Sequence, residues 1–188
     1  MTASCPAGAL RTDSLRSIRI LGIDPGSRFT GYGIIDIQSN HSTHVSHGVI
    51  RVAGETLGTR LAYIYTRLEA VIGEHQPDEG AIEQIFMHKN ADSALKLGQA
   101  RGAAVVAMAR QGLEVYEYTA NQVKQATVGR GHAGKQQVQH MVRVLLNLAE
   151  IPESDAADAL AVALCHGHSR EGLLRMAGVS GIRGGRLQ

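Results

Sequence analysis

Tryptophan is absent from this 188-residue chain, and only two phenylalanines and four prolines occur. Aromatic residues make up 4% of the sequence, so any core must be built mainly from aliphatic side chains. The two cysteines, Cys5 and Cys165, lie at opposite ends of the chain. They are too few and too distant for a disulfide framework, which fits a reducing, cytoplasmic setting. No apolar run approaches the roughly 20 residues of a membrane span, so no membrane partner is expected. Residues 1–17 carry no sustained apolar block, which excludes a secretory signal and leaves a flexible extension as the expectation. A large charge of one sign is missing as well. The net charge of +2 is too small to identify a nucleic-acid partner. Its distribution is uneven, because residues 169–188 hold Arg170, Arg175, Arg183 and Arg186 against the single acid Glu171. This stretch reads as a basic C-terminal tail, either solvated or a phosphate-binding arm.

What is present fits one globular domain over residues 18–168: 44% of the chain is hydrophobic and 19% charged. Ile18 to Ile23 is an apolar run closed by Asp24-Pro25-Gly26, the pattern of a strand ending in a tight turn. Gly31 to Ile37 and Val45 to Val52 follow as two more strands of an antiparallel meander. Leu57, Leu61, Ile64, Leu68, Val71 and Ile72 recur at helical spacing in a helix that Pro77 stops. Strands are expected at Gly80 to Phe86 and Glu114 to Tyr118, with a helix from Ala91 to Gln111 between them. Helices at Ala120 to Val128, Lys135 to Leu148 and Ser154 to His168 complete the order. A meander followed by alternating helices and strands implies an α/β fold, a mixed five-stranded sheet flanked by helices on both faces.

Four carboxylates stand in awkward places within that pattern. Asp24 ends an apolar strand at the carboxyl edge, where α/β sheets gather ligands, although it could simply start the turn. Glu83 shares a strand face with Ala81 and Ile85, so it needs either an ion-pair partner or a metal. Asp155 and Asp158, three apart, share one face of the last helix. Ser154 is a candidate N-cap, and an acid in the first turn suits the helix dipole, so Asp155 also has a structural explanation. Asp158 is less easily explained by capping, since alanines flank it on a closely packing helix. The set offers oxygen donors only, a match for Mg²⁺ or Mn²⁺ rather than zinc. Clustered carboxylates of this kind make a two-metal phosphodiesterase site, with two ions about 4 Å apart.

The same residues carry a resemblance. Ile20-Leu21-Gly22-Ile23-Asp24-Pro25-Gly26-Ser27 with Thr30-Gly31-Tyr32-Gly33 resembles the opening motif of the RuvC family of crossover (Holliday) junction endodeoxyribonucleases. Ala81-Ile82-Glu83-Gln84, the stretch from Lys89 to Gly102, Val123-Lys124-Gln125 and Asp155 to Ala161 resemble its later blocks in order. The likeness covers about residues 18–168, and it implies an RNase H-like fold with a four-acid site at Asp24, Glu83, Asp155 and Asp158. It further implies two Mg²⁺ ions per site, with Mn²⁺ as a substitute, and paired symmetric nicks on opposed strands of a four-way DNA junction. Phe86 matches a family phenylalanine that stacks at the opened crossover, such stacking being worth about 1–3 kcal/mol per base. Lys89, Lys124 and Lys135 fall at positions that contact the junction. Against this, Phe86 could be a core side chain and each lysine an ordinary surface charge. A homodimer and a branch-migration motor of RuvAB type are the partners the family implies. A two-fold dimer suits a junction of approximate two-fold symmetry. Ala91, Ala94, Gly98 and Gly102 form a small-residue stripe at helical spacing, which packing within one chain would explain equally well.

Other signals carry less. Gly129, Gly131 and Gly134 match Gly-x-Gly-x-x-Gly but follow a polar, helix-like segment instead of an apolar strand. Cys165, His166 and His168 lack a fourth zinc ligand, and Cys165 and His166 diverge on a helix. An actin-like ATPase would need a second domain for which the chain has no room. A junction-binding module without catalysis would not need the four acids, and a nuclease of RNA–DNA hybrids would share them.

Overall fold

A computed structural model describes residues 17–39, 41–85, 91–131, 133–170 and 172, and the backbone of 171, 173–177, 182–183 and 186–187. The meander is formed by β1 (Ile18–Asp24), β2 (Phe29–Gln38) and β3 (His41–Arg51). Then come α1 (Leu57–His75), β4 (Glu79–Glu83), α2 (Ala91–Arg110), β5 (Glu114–Tyr118), α3 (Ala120–Val128), α4 (Lys135–Leu145) and α5 (Ser154–Ala177). A short ribbon pairs β6 (Ile182–Arg183) with β7 (Arg186–Leu187). The main sheet has the order β3-β2-β1-β4-β5, with β4 parallel to β1 and β5 parallel to β4. The apolar runs of β1 and β4 therefore occupy the middle, where both faces are covered.

Each face carries its own core. On one, α1 and α2 bury Ile64, Leu68, Ile72, Ala104 and Met108 against Leu21, Ile23 and Ile82. On the other, α3, α4 and α5 bury Val123, Val138, Leu160 and Leu164 against Ile20, Ile35 and Ala81. The helix boundaries have local causes. Thr56 caps α1 by accepting the Thr59 amide, and Gln76 ends it in the left-handed region at φ 48° just before Pro77.

Several boundaries differ from the sequence expectation, β3 for example beginning at His41, four residues before Val45. β4 stops at Glu83, because its partner β5 turns into α3 at the Thr119 cap; Phe86 lies outside the described residues. α4 ends at Leu145, where the chain turns through Asn147 at φ 49°. α5 starts with Ser154 as its first helical residue, and the Glu153 carbonyl accepts the Ala157 amide, so Ser154 is not the cap. The same helix continues to Ala177, past the expected end at His168. Among the described residues, no helix is long and apolar enough to cross a membrane.

Candidate active site

Three elements bring the four carboxylates together at one end of the sheet. Asp24 is the last residue of β1 and Glu83 the last of β4, on strands that pair Ile23 with Ile82. Asp24 also pairs with Gly31 across β2, and a Cβ at Gly31 would overlap the backbone of Asp155. Two further glycines repeat this arrangement, since a Cβ at Gly22 would strike the backbone of Ala159, and one at Gly33 would meet Leu160 at 2.7 Å. Gly22 and Gly33 are register partners, so three glycines clear a track across β1 and β2. Along that track α5 lies nearly backbone to backbone on the sheet, which sets Asp155 and Asp158 over the strand ends. The sequence reading missed this track, although Gly31 and Gly33 alternate at strand period and so share one face.

Two structural alternatives for the acids can now be resolved. The turn after Asp24 is closed by the buried hydroxyl of Thr30, which donates to the Gly26 carbonyl at 2.9 Å, leaving the Asp24 carboxyl for other work. Glu83 has no ion-pair partner among the described residues, whereas its backbone is held, with Arg101 Nε donating to the Glu83 carbonyl at 3.3 Å.

The electrostatics are those of crowded, poorly compensated acids. Burial, with the charges of Glu83, Asp158 and Asp155, pushes the Asp24 carboxyl up to about 8. Glu83 is raised by burial and by Asp158. Asp158 is raised by burial and by Asp155. Lys135, whose ammonium stands 3.9 Å from Asp158 Oδ2, and Lys124 oppose these shifts at both Glu83 and Asp158. Both lysines therefore border the cluster, Lys124 half-buried and Lys135 exposed. Phe86 and Lys89 lie outside the described residues.

Among the described residues, no group of three or more His, Cys, Asp or Glu side chains is arranged to hold an ion as it stands. The donor chemistry fits a hard divalent ion, since every candidate atom is a carboxylate oxygen and, among the described residues, only acids and lysines perturb these carboxyls. A cleft of about 880 Å³ between β3 and the 145–153 segment is lined by none of the four acids. Cleft size therefore does not locate the carboxylate cluster.

The RuvC family model, described as crossover junction endodeoxyribonuclease RuvC, matches residues 20–166. A protein of that name from Hahella chejuensis is 55% identical over 171 residues, 91% of this chain and 99% of its own length. One from Tolumonas auensis is 57% identical over 170 residues, 90% and 98% of the two chains. Among solved structures, Thermus thermophilus RuvC in complex with a Holliday junction substrate superposes with a TM-score of 0.77 at 36% identity, covering 82% of this chain and 96% of that one. The yeast mitochondrial Holliday junction resolvase Ydc2 shares the fold, with a TM-score of 0.64 at 11% identity.

Proposed function

The chain belongs to the RuvC family of crossover junction endodeoxyribonucleases, and we propose that it resolves four-way DNA junctions by paired symmetric nicks on opposed strands. One observation carries the mechanism: β1, β4 and α5 each deliver carboxylates to a single sheet end where burial and mutual repulsion keep them under-compensated. Asp24 lies among the other three, all of which act on it, and together with them it would hold Mg²⁺ or Mn²⁺, two ions per site on family grounds. Glu83, Asp155 and Asp158 complete the ligand set around it. Bound cations supply Lewis acidity for the entering water and for the departing 3′ oxygen. The chain's own part is to hold the four carboxylates on rigid elements, where the proton that burial favours on Asp24 would give way to a bound cation. Lys124 and Lys135, which border the acids, would meet phosphates of the strand being cut. Phe86 and Lys89 are assigned junction contacts on the motif alone.

Support for a homodimer comes from α2. Its solvent side presents Ala91, Leu95, Gly98, Gly102 and Val106, with Leu95 62% and Val106 50% exposed. A Cβ at Gly98 or Gly102 would meet nothing within 4 Å, so packing among the described residues does not use these glycines, whereas Ala94 is half-buried. An apolar stripe with two bare glycines lets a second α2 approach closely around a two-fold axis. A cytoplasmic location and a branch-migration motor of RuvAB type complete the reading, the motor on family grounds.

The test is cleavage of a mobile synthetic four-way junction with Mg²⁺ and with EDTA, mapped at nucleotide resolution beside an RNA–DNA hybrid. Paired nicks that require Mg²⁺ and spare the hybrid support the proposal. Cutting of the hybrid in preference to the junction would replace it with a hybrid nuclease.

A further inference from the structure

Glu79 opens β4 four residues before Glu83, so both point to the face that α5 covers, with the buried Ala81 between them. His166 lies on α5 eight residues after Asp158, roughly 12 Å along the helix, and is 2% exposed. Its Nε2 stands 2.8 Å from Glu79 Oε2, and its Nδ1 stands 2.7 Å from the Tyr118 hydroxyl. The other Glu79 oxygen accepts from Arg170 Nε at 3.2 Å, one helical turn farther along α5. Tyr116 stacks on the imidazole with ring centroids 4.3 Å apart. An ionised Glu79 can only accept, so Nε2 carries a hydrogen, while the Tyr118 hydroxyl and Nδ1 share the second hydrogen bond. Both imidazole nitrogens are thereby used, and α5 is tied to β4 and β5 at once.

The location makes this network more than a satisfied buried histidine. Tyr118 pairs in register with Glu83, so the network reaches the strand position beside a site carboxylate. Over β1 and β2 the glycine track fixes how closely α5 approaches the sheet. It does not fix how α5 sits against β4, and that relation sets Asp158 relative to Glu83. Apolar packing would hold the helix there without directional preference, whereas hydrogen bonds of set length pin its rotation and axial position.

We propose that the buried Tyr118–His166–Glu79–Arg170 network is a positioning device that sets α5 against β4 and β5 so that Asp158 and Glu83 can share a divalent cation. These are positioning residues: none is among the four acids or the bordering lysines. The inference rests on the metal-dependent nuclease reading above and adds to it a second set of residues on which cation affinity depends.

The experiment measures Mn²⁺ binding by calorimetry without DNA, alongside thermal midpoint, junction affinity in EDTA, and the Mn²⁺ concentration that half-saturates single-turnover cleavage. Full-length Tyr118→Phe, His166→Gln, Arg170→Met and Arg170→Lys are compared with wild type. Tyr118→Phe and His166→Gln are expected to weaken Mn²⁺ binding about tenfold, the lower end for residues that orient metal ligands. Half-saturation of cleavage should shift in parallel, with junction affinity in EDTA unchanged and Arg170→Lys recovering part of the Arg170→Met loss. Variants that melt lower but bind Mn²⁺ like wild type would overturn the proposal and leave the network as a structural anchor. Should His166→Gln fail to fold, Tyr118→Phe decides, since it removes one hydroxyl and keeps the ring. A wild-type chain that binds no Mn²⁺ would overturn both this inference and the nuclease reading, and it would do so before any substitution was made.

Discussion

Glu79 and Glu83 begin and end the same five-residue strand, face the same helix, and are both largely buried, yet their carboxyls shift in opposite directions. Burial acts to raise both. At Glu79 it is overcome by the hydrogen bond from His166 and the charge of Arg170, so the carboxyl is held below its usual range. At Glu83 the burial shift stands and Asp158 adds to it, with only Lys124 and Lys135 in opposition. Burial of an acid therefore does not identify a functional site. What separates the two ends of β4 is whether the fold supplies a partner, and at the Glu83 end, among the described residues, it supplies none, which is what the proposed cation site requires.

The most severe way to break this contrast is to remove the acid at the centre of the uncompensated end. Asp24→Asn should lower junction cleavage by about three orders of magnitude or more, with junction binding in EDTA unchanged in a gel-shift assay. Wild-type cleavage by this variant would take Asp24 out of the site. Next in size is Gly31→Ala, which puts a methyl group into the Asp155 backbone. Overpacking against a rigid backbone should cost about 3 kcal/mol in urea unfolding, the upper end for such changes, and should impair cleavage as well. A stable, active Gly31→Ala would mean that α5 does not depend on the glycine track.

The two glutamates themselves give the third test. Glu79→Gln should destabilise the metal-free protein by about 2–3 kcal/mol, because it weakens a buried charged hydrogen-bond pair. Glu83→Gln should leave stability unchanged or raise it while lowering cleavage strongly. Equal losses of stability at both positions would erase the distinction. The pH dependence follows the same division. Asp24, raised to about 8 in the fold, loses its proton more readily once the chain unfolds. The metal-free protein should therefore lose stability relative to Asp24→Asn as pH rises from about 4 to 8, by up to a few kcal/mol. Glu79 has the opposite sign, and its contribution should disappear only as pH falls through its lowered value. Differential scanning between pH 5.5 and 8.5 tests the Asp24 trend, and Mg²⁺ should abolish it. The smallest effect expected is at Lys124→Ala, which should reduce the slope of log affinity against log salt by about one. An unchanged slope would return Lys124 to the ordinary surface.

Much of the fold was legible along the chain because its signals are local. Strand order through the meander, the α1 stop at Pro77 and the mixed five-stranded sheet follow from apolar periodicity and turn residues. The strand and helix ends were less legible where they depend on a neighbour. β4 ends where β5 leaves the ladder, and nothing within Ile85 or Phe86 announces that. All four acids stood out because each was an ionisable group in an apolar pattern. Arg170, grouped with the basic tail on sequence, has a side chain only 10% exposed and bound to Glu79, a pairing that no local pattern encodes.

Sequence alone was enough to place an oxygen-rich acid set on two strand ends and a helix start, since the oddity of a carboxylate among alanines and isoleucines is visible in any short window. It was not enough to say which buried acids have partners. His166 reaches Glu79 across 87 residues, and the glycines of β1 and β2 matter only because α5 returns to lie on them. Tertiary structure decided those points because desolvation is set by everything that packs around a group, while compensation is set by the one or two charges that the fold brings within hydrogen-bond reach.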